Sequence, residues 1–94
     1  MLTIKQRNDV AEYAVYLHCR KNSLSRESYD KVMHRMYPRG LCIRWKRSGR
    51  VVEGHIRHLI TLPPYLRVMN SNTGKVYMIE PRHIVAVVAE PKKS

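Results

Sequence analysis

Residues 41–89 read as short strands separated by turn signals, and this run constrains the fold most. At its head stand Leu41, Ile43 and Trp45, alternating with Arg44 and Lys46. Side chains along a strand point to opposite faces with period two. One strand therefore offers an apolar set to a core and a basic set to solvent. Ser48-Gly49 is a tight-turn signal, and a second strand is expected over residues 50–60. Gly54 inside it marks a bulge or a sharp bend. Pro63 and Pro64 place a loop at residues 61–64, because proline lacks the ladder N–H. A third strand is expected over 65–69, with Leu66 and Val68 on one face. A fourth is expected over 75–80, after the turn-rich residues 70–74. Pro81-Arg82-His83 is a short break. The fifth strand, 84–89, is apolar on both faces, so cover on both sides is expected.

The first forty residues carry helical signals instead. Thr3 and Gln6 fit a capping box, and Val10, Tyr13, Ala14 and Leu17 fall on one face of a helix over residues 3–20. Ser25 caps a second helix over 25–36, with Tyr29, Val32, Met33 and Met36 as its stripe. Leu24 and Tyr29 have the spacing of a hydrophobic staple. Pro38 and Gly40 end this helix. The expected architecture is α+β in one domain, 1–94. A helical hairpin (1–40) packs on a small five-stranded SH3-like barrel (41–90), and a short tail (91–94) follows.

Gly54-His55-Ile56, Tyr65-Leu66-Arg67-Val68 and the run from Val76 to Arg82 together resemble the C-terminal small barrel of retroviral-type integrases and transposases. Tudor-like and KOW-like barrels share the same strand rhythm. The likeness covers the second half of the chain. The helical hairpin lies outside the pattern, and no integrase-type catalytic domain accompanies it. What the resemblance implies is a nucleic-acid-binding barrel.

Charge leads to the same class of partner by a separate route. Lys and Arg total 18 against 7 Asp and Glu, a formal net charge of +11. Such an excess attracts polyanions whatever the fold. Between Lys31 and Val52 the chain carries Lys31, Arg35, Arg39, Arg44, Lys46, Arg47 and Arg50, with no acid among them. Arg44, Lys46, Arg47 and Arg50 are the expected phosphate contacts, with Arg39, Arg57 and Arg82 at the margin. A solvated face that keeps a small protein soluble is the alternative for such a run. Trp45 could stack on a base, but its alternation with Leu41 and Ile43 assigns it to the core. Tyr65 and Tyr77 serve equally well as stacking groups or as barrel residues.

Other chemistries find little support. His55 and His58 form H-x-x-H on a strand, where residues three apart face opposite ways, and Cys19 and Cys42 lack metal-ligand spacing. No metal or cofactor is expected. Histidines near the basic face would add charge at mildly acidic pH. Asp9/Glu12 and Glu27/Asp30 have helical spacing that balances nearby cations. No phosphate-binding glycine loop, nucleophile elbow or HExxH is present, so an enzyme is not expected. Two cysteines suit a reduced, cytoplasmic chain, and no apolar stretch reaches membrane-span length. The reading is a sequence-tolerant nucleic-acid binder. Its rivals are a module docking on an acidic surface of a larger machine, then an anionic-membrane role, for which neither helix combines a strongly basic face with bulky aromatic insertion, and a helix-turn-helix using Arg26, Lys31 and Arg35.

Overall fold

Thr3 and Gln6 open the fold with a reciprocal cap. The Thr3 hydroxyl accepts from the Gln6 backbone N–H at 3.1 Å, and the Gln6 side chain accepts from the Thr3 N–H at 2.9 Å. This starts α1, Ile4–Cys19. The computed structural model describes residues 2–57 and 62–91. In it, Ser25 accepts from Ser28 N–H at 3.2 Å and caps α2, Arg26–Met36. Tyr29, Met33 and Met36 are buried on α2, and Val32 packs beside them, as the stripe required.

The buried face of α1 is not the expected one. Val10 and Tyr13 are exposed, and Leu17 is only partly covered. Of the expected stripe only Ala14 is buried, and Ile4, Arg7, Ala11 and Val15 pack inward with it. At 100° per residue this face lies about a quarter turn from the expected stripe. Two causes combine. Ala11 and Ala14 are small and allow close approach, and one of the inward positions, Arg7, is a charged residue. Arg7 is 3% exposed. Its Nη1 donates to the Met36 carbonyl at 2.6 Å, its Nε donates to the Leu2 carbonyl at 3.3 Å, and its Nη2 meets Glu90 Oε1 at 2.7 Å. A buried arginine persists because its donors are matched. Here it joins α1, the end of α2 and the residue after the last strand. Tyr37, also buried, donates its hydroxyl to Asn8 Oδ1 on α1.

Five strands follow: β1 Cys42–Arg47, β2 Arg50–Ile56, β3 Leu66–Asn70, β4 Val76–Ile79 and β5 Ile84–Ala89. A 3-10 turn, Pro81–His83, precedes β5. The sheet order is β4-β3-β2-β1-β5, and all neighbours are antiparallel. Thus β1 to β4 form a meander and β5 pairs back on β1. α1 packs on α2, on β5 and on the 3-10 turn. The chain is α+β, with its helices first. Leu41, Ile43, Trp45, Ile56, Leu66 and Val68 are fully buried and form the core under the helices. β2 stops at Ile56, short of the expected residue 60. Residues 58–61, with His58 of the H-x-x-H, lie outside the described residues, as does the tail from residue 92.

Two expectations about strand detail need correction. β5 is an edge strand, not one covered on both sides. Its pairing with β1 runs Cys42↔Ala89, Ile43↔Val87, Arg44↔Ala86 and Trp45↔Ile84, skipping Val88 and Val85. Those two bulged residues are exposed, as is Ala89 at the strand end. Each bulge resets the alternation, so Ile84 and Val87, three apart, can both face Trp45 and Ile43. Gly54 is not a bulge either, since the β1–β2 register passes through it unbroken, Ile43↔Gly54 between Cys42↔His55 and Arg44↔Glu53.

Candidate nucleic-acid interface

The β1–β2 hairpin turns at Ser48 and Gly49, with φ of 51° and 77°. Positive φ at both central residues is the type I′ pattern, whose twist matches that of paired strands. This tight turn sets Arg47 directly opposite Arg50, and Lys46 opposite Val51. Arg44, Lys46, Arg47 and Arg50 are all exposed.

The four do not have equal electrostatic standing. Arg44 Nε donates to Glu53 Oε1 at 3.1 Å, across its own rung of the ladder. Lys46 and Arg50 have no acid within ion-pair distance among the described residues. Arg47 faces the other way from Lys46, and its guanidinium carbon lies 3.9 Å from the centroid of the Tyr77 ring. That contact reports on the sheet. β1 and β4 are three strand spacings apart in a flat sheet, about 14 Å. Coiling of the sheet brings the hairpin tip over β4.

Lys46, Arg47, Ser48, Tyr77, Met78 and His83 surround the resulting cavity of ≈ 390 Å³. Arg47 and Ser48 also border a second hollow, of ≈ 340 Å³, with Arg50 and Val52. His83 is held by Glu80. Its Nδ1 accepts from the Glu80 backbone N–H at 3.3 Å, and its Nε2 is 3.9 Å from Glu80 Oε2. With Nδ1 accepting, the neutral ring carries its proton on Nε2.

The other expected cations lie elsewhere. Arg82 is exposed but tied to Glu80 at 2.8 Å. Arg39 and Arg57 sit at the opposite end of β1, where Gly40 N–H donates to the Ile56 carbonyl at 2.8 Å. Five strand steps separate that end from Arg47, about 17 Å. Arg57 Nη1 approaches Met69 Sδ at 3.5 Å. On α2, Arg26 holds Asp30 at 3.1 Å and Lys31 holds Glu27 at 3.5 Å. The structure therefore gathers Lys46, Arg47 and Arg50, pairs Arg44 and Arg82 with acids, and sets Arg39 and Arg57 apart.

Among the aromatics, Trp45 is fully buried and Tyr65 is exposed. Tyr77 is half-buried, in contact with Arg47. The sequence marks it as a stacking candidate but carries no sign of its partner. His83 stands in the sequence only as part of the break before the last strand. Both depend on contacts across the coiled sheet. His18 meets the Leu24 carbonyl at 2.7 Å through Nδ1 and stacks on Tyr29 with centroids 5.0 Å apart. Burial pushes the Cys42 thiol up, and the nearby Glu53 charge adds to this against Arg44. A neutral thiol is a poor nucleophile. Among the described residues no three His, Cys, Asp or Glu side chains come together to hold a metal, and no helix is long and apolar enough to cross a membrane.

What the arrangement can do is hold an anion beside an aromatic ring. Compared with family models, curated proteins and solved structures, the chain matches none of them.

Proposed function

We propose that this protein binds nucleic acid through the tip of the β1–β2 hairpin, using phosphate contacts that do not depend on sequence, as a cytoplasmic binder and not an enzyme. One observation carries the reading. Arg47 and Arg50 face each other across the last rung of the ladder, with Lys46 beside them and no carboxylate in reach among the described residues. Like charges directly opposite on paired strands are destabilising. By contrast Arg7, Arg26, Lys31, Arg44 and Arg82 each hold an acid. Phosphate oxygens would relieve the repulsion at the tip and release counterions from the nucleic acid. The meander with a fifth strand returning to the first is in keeping with kinship to small SH3-like barrels.

The test is the salt dependence of oligonucleotide binding. Affinity should fall steeply with rising salt and alike across unrelated sequences. No binding to any oligonucleotide at low salt overturns the reading.

A second reading draws on the other face of the sheet. Val76 and Met78 of β4 are exposed there beside Met69, and Val51 is exposed next to Lys46. An apolar patch with cations at its rim suits an acidic protein surface. A partner that stays bound after nuclease treatment would favour it.

A further inference from the structure

We propose that the ligand is single-stranded, and that one unpaired base enters the cavity beside the Arg47–Tyr77 contact. This rests on the nucleic-acid reading above and narrows it. The cations of the tip do not form a flat rail. Lys46 and Arg47 line a hollow of ≈ 390 Å³ that has Tyr77 and His83 in its wall, and Arg50 borders the neighbouring one. A duplex presents phosphates on its outside and keeps its bases stacked within. It could touch Lys46 and Arg50, but its bases could reach the hollow only by flipping out, at an unstacking cost of a few kcal/mol. A single strand brings unstacked bases without that cost. Bases in such strands stack on aromatic rings and on guanidinium planes. The Arg47 guanidinium already lies over the Tyr77 ring at 3.9 Å, so the base adds to the guanidinium face turned away from Tyr77, with the ring holding that plane in place. The Ser48 hydroxyl and the Nε2 proton of His83 supply donors at the base edge. Lys46 and Arg50, on either side of Arg47 in the hairpin, are placed for the flanking phosphates.

Three probes of equal length separate the contributions: a single strand, its duplex, and a strand with abasic residues that keeps the phosphates. Binding is measured at fixed low salt. The expected result is a single strand bound roughly 5- to 150-fold tighter than the abasic strand, the worth of one stacked base. Tyr77→Leu should erase that increment and leave abasic binding unchanged, while Tyr77→Phe keeps it. Arg47→Lys, an exposed change that retains the charge, should also reduce the increment without altering the salt slope. If Tyr77→Leu fails to fold, Arg47→Lys still decides. Equal binding of all three probes, or a preference for duplex, overturns the base pocket and leaves the phosphate reading standing. Failure of every probe to bind overturns both.

Discussion

The indole of Trp45 occupies the space that a side chain on Gly54 would need. A Cβ built on Gly54 would lie 2.7 Å from Trp45 Cη2 and 2.1 Å from the Met69 carbonyl oxygen. The glycine is required for room, where β1, β2 and β3 close on the tryptophan. Gly54→Ala must push β2 and β3 apart or displace the indole. Overpacking of this kind costs about 1–3 kcal/mol, and the backbone clash puts this site at the upper end. Thermal melts followed by Trp45 fluorescence should show the loss, with an emission shift if the indole moves.

Leu66 and Val68 alternate on β3 and are both buried. Leu66→Ala is expected to cost about 2–5 kcal/mol. An unchanged melting temperature would contradict the core placement of this strand.

Arg7 makes its bonds from a buried position, yet its acid, Glu90, is 46% exposed. The two partners should therefore respond unequally. Arg7→Ala orphans the Met36 carbonyl and opens a hole between the helices, a loss of about 3 kcal/mol. Glu90→Gln keeps an acceptor at the rim and should cost less than about 1 kcal/mol. Urea titrations of the two variants check this. Equal losses would show that the ion pair, not the carbonyl bond, anchors the arginine.

Alkaline pH should unfold the protein through its tyrosines. Burial pushes Tyr29 up to about 12, with the neighbouring Cys19 adding to it, and burial raises Tyr37 as well. An unfolded tyrosine ionises near its reference value of about 10. Above that pH the unfolded chain binds fewer protons than the folded one, so stability falls as pH rises. The contribution is fully present below pH 10 and is lost as pH rises through about 12. Urea midpoints at pH 8, 10 and 11 should decline in that order. The Tyr29 hydroxyl has no hydrogen-bond partner among the described residues. Tyr29→Phe should therefore be near neutral at pH 7 and flatten the alkaline decline.

At the hairpin tip, replacing Arg47 and Arg50 with Ala removes two exposed cations without touching the core. If both contact phosphate, the slope of log affinity against log salt should fall by about 1.5. Full retention of affinity and slope would move the surface elsewhere, with exposed Arg35 and Arg39 next in line.

Local rules were enough to determine the element plan and the inward set of the inner strands. Thr3 and Ser25 cap where a short oxygen acceptor meets free N–H groups, and Ser48-Gly49 turns where both residues take positive φ. These are one-turn or one-rung interactions, so neighbouring residues suffice to specify them. Alternation assigned Ile43, Trp45, Leu66 and Val68 to the core for the same reason. Tertiary structure alone decided the rest. Which side of α1 faces inward depended on Arg7 finding the Met36 carbonyl and Glu90, partners 29 and 83 positions away. The exposure of Val85 and Val88 depended on bulges against β1, which hydropathy along β5 does not record. A basic run in the sequence implies an excess of cations. Its division was set by Glu53 and Glu80, which hold Arg44 and Arg82, and by the coil of the sheet, which lays Arg47 on Tyr77. Charge is additive along a chain, but pairing is a property of three-dimensional distance, and only the folded sheet sets those distances.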